Sequence, residues 1–348
     1  MNSGIPRPMT SSGGTHPTTD VRSPSNWRGW LGRSTEPRIL FPILSVLLLG
    51  VLWAAIGGMV RLEYANARSA ATVATQKLTE TYEAQIVRAV REIDRTLNAV
   101  AYAYSLRGYQ SALTDLRGRG LLLPDFLFTI SIADADGRIV ASTAADNGVD
   151  IADTDYFRAQ RTAGVFAAGT PQHDSTGYGW TLSFSRRLER PDGTFAGVVV
   201  ASVDASYFVS GYEPADMGRH GFLGLLGSDG MFRAMRSGVT VDSGVKADYS
   251  KIIPASGDLV DTTPVTLSVN PWDGVQRYTG ARALYGFPLA VVVGLSADEQ
   301  LQPAHTQARR YWQRSAIASV ALLTIMTLLG RLSWQLQQSR QREAQEQV

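Results

Sequence analysis

Phe126-Leu-Phe-Thr-Ile-Ser-Ile-Ala-Asp-Ala-Asp-Gly-Arg-Ile-Val-Ala-Ser-Thr143 carries the fold in miniature. Apolar and small or polar residues alternate on both sides of Asp136-Gly137, which is the period of two strands joined by a tight hairpin. Thr154–Thr162 then reads as a short helix. Phe166–Ala168, Trp180–Leu188 and Thr194–Val203 read as strands, the last two turning at Pro191-Asp192-Gly193. The same grammar returns downstream. Phe222–Arg236 folds back at Asp229-Gly230, and Gln276–Leu284 meets Pro288–Leu295 at Tyr285-Gly286. Gly193–Asp204 and Leu289–Ser296 are similar apolar runs, so the two halves read as a weak internal duplication. A single antiparallel-sheet domain is the alternative.

Before the first hairpin the period is helical. Residues 61–107 hold no glycine or proline, and Leu78, Tyr82, Ile86, Val90, Ile93, Leu97, Val100 and Tyr104 advance by three or four. That places one apolar stripe on a long helix, ended by Gly108. A second short helix is expected near Tyr109–Leu116. The predicted class is therefore α+β: a long N-terminal helix carrying two antiparallel-sheet modules.

Two apolar runs flank this region. Ile39–Val60 has no charge between Arg38 and Arg61, and at 1.5 Å per residue its 22 residues reach about 33 Å, enough for a bilayer core. Pro42 is expected in its first turn. A cleaved signal peptide is the competing reading, but the leader is long and the run exceeds an ordinary signal core. Ser315–Gly330 spans about 24 Å, extended by Leu332 with Trp334 at the interface. A buried helix of a soluble domain is its alternative. Five arginines precede the first span (Arg7, Arg22, Arg28, Arg33 and Arg38), against Arg61, Arg68 and Lys77 after it. That favours a cytoplasmic N-terminus. The expected organisation is a disordered cytoplasmic tail (1–38), a transmembrane helix (39–60) and a helical stalk (61–116). A membrane-distal module (117–206), a membrane-proximal module (207–300) and a juxtamembrane helix (301–314) follow. A second transmembrane helix (315–332) and a cytoplasmic helix (333–348) end the chain. Residues 61–314 would be periplasmic, on a bacterial inner membrane.

Composition narrows the function. The 348 residues carry 33 basic and 31 acidic side chains, a balance without the basic excess of a nucleic-acid binder. Only Lys77, Lys246 and Lys251 are lysines, so thirty of the 33 are arginine, which reads as compositional bias. No cysteine occurs, which removes disulfides, thiolate metal sites and cysteine nucleophiles. His16, His173, His220 and His305 lack metal-ligand spacing. No phosphate-binding loop or serine-hydrolase elbow is present. No catalytic residue, cofactor or metal is assigned, and the chain is expected not to be an enzyme.

Asp150–Arg161, Leu182–Leu188 and Asp192–Asp204 together resemble the double-Cache (tandem PAS-like) sensor domains of bacterial membrane receptors, closest to those preceding diguanylate cyclase modules. The likeness covers roughly residues 61–314. It implies an extracytoplasmic pocket in the membrane-distal module for a small molecule, with an amino acid or organic acid as candidates. In the amino-acid-binding members an aromatic pair on the short helix matches Tyr156 and Phe157, one acid matches Asp174 and a last acid matches Asp204. The family's arginine and tyrosine are replaced by Ala152 and Thr154 and by Gln172. Arg158 and Arg161 follow the pair instead and could face an anionic ligand.

The candidate ligand-binding residues are thus Tyr156, Phe157, Arg158, Arg161, Asp174, Ser183 and Asp204. Each has a plainer reading. Tyr156 and Phe157 could be core, and Arg158 and Arg161 a solvated helix face. Ser183 and Ser185 alternate with Leu182 and Phe184 and line a pocket only if theirs is the concave face. Asp204 could cap the Ala205–Tyr207 turn, and Asp174 could be a turn residue. After the second span the chain reads as a polar Gln/Arg/Glu helix, where the resembled receptors begin an output module. The expectation is a sensor that signals across the membrane, as a homodimer, to a separate cytoplasmic effector. A scaffold or vestigial receptor that only dimerises is the alternative.

Overall fold

The computed structural model describes residues 37–144, 146–173, 179–212, 217–253 and 264–346. All but two residues of the expected tail, and Asp174, lie outside them. Helix α1 (Pro37–Arg107) is unbroken over 71 residues. It starts two residues earlier than expected, so Pro42 stands in the second turn. Gly108 ends it at a φ of 71°, with its N–H on the Tyr104 carbonyl at 2.8 Å. Helix α2 (Tyr109–Gly118) follows directly. Two short helices lie among the strands, α3 (Asp155–Thr162) and α4 (Tyr249–Ile252), and helix α5 (Ala297–Glu346) closes the described chain.

The described residues form two compact units. One holds those up to Gly57 and those from Trp312 onward; the other is Gly58–Tyr311. In the first, Trp53 lies 5.4 Å from Trp312 and donates to Ser319 Oγ at 3.2 Å. Leu47, Val51, Ile317, Val320 and Leu328 are exposed on it. Both helices are long and apolar enough to cross a membrane. Their outward apolar side chains are the reverse of what the core helix of a soluble domain would show.

In Gly58–Tyr311, the first module pairs β1 (Phe128–Asp134) with β2 (Ile139–Ser142), and β5 (Trp180–Glu189) with β6 (Phe195–Asp204). Strand β6 lies beside β1, and the short β3 (Ala167–Ala168) and β4 (Gln172–His173) pair with β5. The second module repeats this. Strand β7 (Phe222–Gly227) pairs with β8 (Phe232–Ser237), and β11 (Gln276–Ala283) with β12 (Leu289–Ser296). β12 lies beside β7, β9 (Thr240–Asp242) flanks β8 and β10 (Val265–Val269) flanks β11. Every pair is antiparallel. The similar runs noted in the sequence, β6 and β12, hold equivalent central places.

The core lies between α1 and both sheets. Tyr82, Ile86, Val90, Ile93, Leu97 and Val100 are buried in one cluster with Ile130, Phe184 and Val199 of the first module and Leu223 and Val291 of the second. Each such side chain contributes at most about 1.5–3 kcal/mol. The buried stripe also extends toward the N-terminus through Ala71, Thr75 and Thr79, which apolar periodicity did not show. Their hydroxyls are satisfied locally, Thr75 on Ala71 O at 2.8 Å and Thr79 on Thr75 O at 2.7 Å. One ion pair ties each sheet to the helix: Arg186 to Asp94 at 2.6 Å and Arg282 to Glu83 at 3.0 Å.

Two arginines lock the second module. Arg233 is nearly buried, chelates Asp229 and reaches across to Ala168 O of the first module. Arg277 is wholly buried and chelates Asp273. Burial opposes ionisation of Asp229 and Asp273, but the guanidinium bonds outweigh it and hold both below the usual carboxylate range. Carboxyls depressed by folding stabilise above their unfolded value, and that contribution is lost as pH falls through the lower folded values. Melting temperature is therefore expected to fall steeply below about pH 4, and Asp273→Asn to flatten that fall. Equal acid slopes for wild type and variant would contradict it.

Candidate ligand-binding site

Alternation along each strand of the first module sends one side chain to α1 and the next to the opposite face. Leu182, Phe184, Ile130, Ile132, Val199 and Ala201 face α1. Thr129, Ser131, Ser183, Ser185, Val200 and Ser202 occupy the other face, with Ser183 opposite Ser202 and Ser131 opposite Val200. Helix α3 covers part of this second face. Thr154 caps it, accepting from Phe157 N at 3.4 Å, and that start aims Tyr156, Phe157 and Gln160 inward. Gln160 pins the helix to β5, donating to Ser185 O at 3.0 Å and to Val165 O at 2.7 Å.

Where the helix cover ends, the face is a cluster of hydroxyls. Ser183 and Ser202 Oγ are 2.9 Å apart, as are those of Ser131 and Ser142. Ser131 also donates to Asp146 Oδ2 at 3.1 Å. Tyr156 stands at the border. Burial pushes its hydroxyl pKa up, partly offset by hydrogen bonds with Thr154 and Ser183, while the charges of Asp155 and Asp146 push it further up. Tyr156 is therefore a neutral donor near two carboxylates at any physiological pH. Asp155 is committed to backbone, with Tyr156 N and Thr170 N both at 2.8 Å. Gly169 is required here: a Cβ on it would sit 2.6 Å from the Tyr156 ring. Asp146 is committed through Oδ2 alone. Its Oδ1 is buried with no hydrogen-bond donor among the described residues.

Of the predicted site residues, the structure brings Tyr156 and Ser183 together. Phe157 is fully buried in an apolar cluster that Tyr156 also joins, and meets Phe195 edge-on at 5.7 Å. Arg158 and Arg161 are exposed on the outer side of α3. Asp204, exposed, caps the 3-10 turn Ala205–Phe208 by accepting from Ser206 N at 2.7 Å. Asp174 lies outside the described residues. Sequence reading missed Asp146, Ser131 and Ser202. The serines carried a signal, since strand alternation puts them on the Ser183 face. Asp146 carried none.

Two antiparallel sheet modules sharing one long helix, with a polar cluster on the outer face of the first, form an arrangement similar to a solved extracellular receptor domain. The extracellular domain of a protein described as a histidine kinase, rpHK1S-Z16, is 25% identical over 65% of this chain and 95% of its own, with a TM-score of 0.54. The ligand-binding domain of the Pseudomonas fluorescens chemoreceptor CtaA, solved with L-isoleucine, is 13% identical over 68% of this chain and 96% of its own, TM-score 0.48. That of the Pseudomonas aeruginosa PAO1 chemoreceptor PctC, solved with GABA, is 16% identical over 63% and 97%, TM-score 0.44. No protein-family model and no curated protein matches the chain.

Proposed function

We propose that this chain is the sensing part of a bacterial membrane receptor, and that the first module binds a small ligand bearing an ammonium group. Asp146 carries the reading. A buried carboxylate oxygen without a donor is costly, and a ligand N–H supplies the missing charge-assisted bond. Tyr156 and the Ser183–Ser202 pair supply neutral polar contacts beside it, and the covering helix excludes water from one side. Residues 61–314 lie in the periplasm, and α1 and α5 cross the inner membrane with both termini in the cytoplasm. Ligand binding biases one of two arrangements of the paired helices in a homodimer, and a separate cytoplasmic effector reads that bias. The match to a histidine-kinase extracellular domain supports the receptor class.

The test uses the full chain in nanodiscs, melted with L-amino acids, GABA, polyamines and matching amine-free acids. At least one amine is expected to raise the melting temperature where its amine-free analogue does not. Asp146→Asn is expected to weaken that compound about tenfold or more, the size of one charge-assisted bond. Stabilisation by no amine, or an Asp146→Asn protein that binds equally well, defeats the reading. Reporter fusions after residue 200 that score as cytoplasmic would overturn the topology.

A further inference from the structure

The second module has a cavity of its own, of about 610 Å³, on the face of its sheet turned away from α1. That size suits a small ligand. It lies against β10 and β11, the strands whose places in the repeat correspond to β3 and β5 of the first module, the latter carrying Ser183. Its wall, however, has the opposite chemistry. Two of the protein's three lysines, Lys246 and Lys251, line it, with Asp248 the single carboxylate among the described lining residues. Lys251 pairs with Asp248 at 3.1 Å, whereas Lys246 has no carboxylate within ion-pair reach among the described residues. Among the described residues one positive charge is left over.

The floor offers donors. Asn270 Oδ1 is taken by Arg277 at 3.0 Å, and Thr279 Oγ1 accepts from Asn270 Nδ2 at 3.1 Å. The Thr279 hydroxyl proton and the second Asn270 amide proton remain to give. Trp272 is held by Phe222 and Phe232, at ring distances of 4.7 and 5.2 Å, and its Nε1–H is buried with no acceptor among the described residues. A donor without an acceptor and an unpaired lysine on the wall of one cavity suit an anion with oxygen acceptors.

We propose that this cavity binds a small organic carboxylate: Lys246 pairs with its charge, and Trp272, Thr279 and Asn270 donate to its oxygens. The protein then has two sites of opposite sign, one in each module. This second site does not depend on the first.

The test is a titration of the full chain in nanodiscs with sodium acetate, lactate, succinate and benzoate, against sodium chloride at equal ionic strength, read by melting temperature and calorimetry. At least one carboxylate is expected to stabilise beyond the chloride control. Lys246→Gln, a change at an exposed side chain, is expected to leave the unliganded melting temperature in place and weaken that carboxylate about tenfold. Trp272→Phe keeps the ring packing and removes the N–H, and is expected to weaken it several-fold. Asp146→Asn is expected to leave it unchanged, which separates this site from that of the first module. No stabilisation by any of the four salts overturns the proposal. So does binding that survives Lys246→Gln, or binding that Asp146→Asn abolishes.

Discussion

Replacing Arg277 with alanine is expected to lower the melting temperature by on the order of 10 °C, the largest effect of any single side-chain truncation here. Arg277 is 0% exposed and uses its whole guanidinium. Nε donates to His220 O at 2.7 Å, one terminal nitrogen to Asn270 Oδ1 at 3.0 Å and Asp273 Oδ1 at 2.7 Å, and the other to Ser237 Oγ at 3.1 Å and Asp273 Oδ2 at 2.8 Å. These partners come from the segments entering β7, leaving β8 and entering β11, so one side chain holds three ends of the sheet. Gly294 leaves the room: a Cβ there would lie 2.7 Å from Arg277 Cδ. Removing one partner of a buried pair costs about 3–5 kcal/mol, because the other charge and its acceptors stay behind. Arg277→Lys is expected to recover less than half of the loss, since a point charge cannot span a fork of acceptors. Because Asn270 also borders the second-module cavity, carboxylate binding is expected to fall with stability. An alanine variant melting within about 2 °C of wild type would show that the network is ornamental.

That arginine also shows what a sequence can and cannot disclose. The central strands were legible because burial writes itself as alternation where one face is covered by polar residues and as an unbroken apolar run where both faces are buried. Phe128–Asp134, Trp180–Glu189 and Leu289–Ser296 are closely where the pattern predicted. The helix was legible from a stripe of large apolar residues. The missed elements are ones that burial does not specify. β4 and β9 are wholly exposed, and β10 has only Val265 partly buried. Such edge strands form because a neighbour offers unpaired backbone groups, not because their side chains need cover. Phe166, expected in a strand, is instead a core residue just ahead of β3, stacked on Phe184 at 5.5 Å. Arg277 looked like one of thirty arginines; only the register that sets it against Ser296 buries it.

The site was legible in part for the same reason. Tyr156 was named because it matches the aromatic pair of the resembled family, and Ser183 could be placed because strand period assigns it a face. Arg158 and Arg161 shared the helix but not its inward side, since i+2 and i+5 from Tyr156 fall away from the sheet. Asp146 follows β2 in an irregular segment, so no period predicts where its carboxylate points. Its value lies in a contact with Ser131 fifteen residues earlier. Of the two lysines of the second cavity, one precedes the four-residue α4 and the other lies within it, and only the folded chain shows that they share a wall with Trp272.

Gly197→Ala is expected to be the most damaging single-methyl change in the chain. Gly197 sits within β6, between β1 and β5, beside the irregularity where Leu188 pairs with Gly197 but Glu189 pairs with Phe195. That bulge leaves Ala196 without an opposite residue and turns Gly197 to a φ of 138°, a region that side chains rarely adopt. A Cβ there would lie 2.0 Å from the Ala133 carbonyl oxygen and 2.8 Å from Asp134 C. Both obstacles are backbone of the paired strand, so no rotamer change relieves them. Either β6 flattens and shifts register, which turns Val198 and Val200 off their face, or it parts from β1. Backbone strain alone costs about 1–3 kcal/mol, and lost ladder bonds between β6 and β1 bring the expected total to about 3 kcal/mol or more. Gly193→Ala is the matched control: its φ of 79° is also positive, but nothing lies within 4 Å of its Cβ. It is expected to lose about 1 kcal/mol through backbone conformation alone. The comparison is read by melting temperature and by amide exchange in β1 and β6. Equal losses for the two variants would mean that φ, and not the close approach of the two central strands, governs the position.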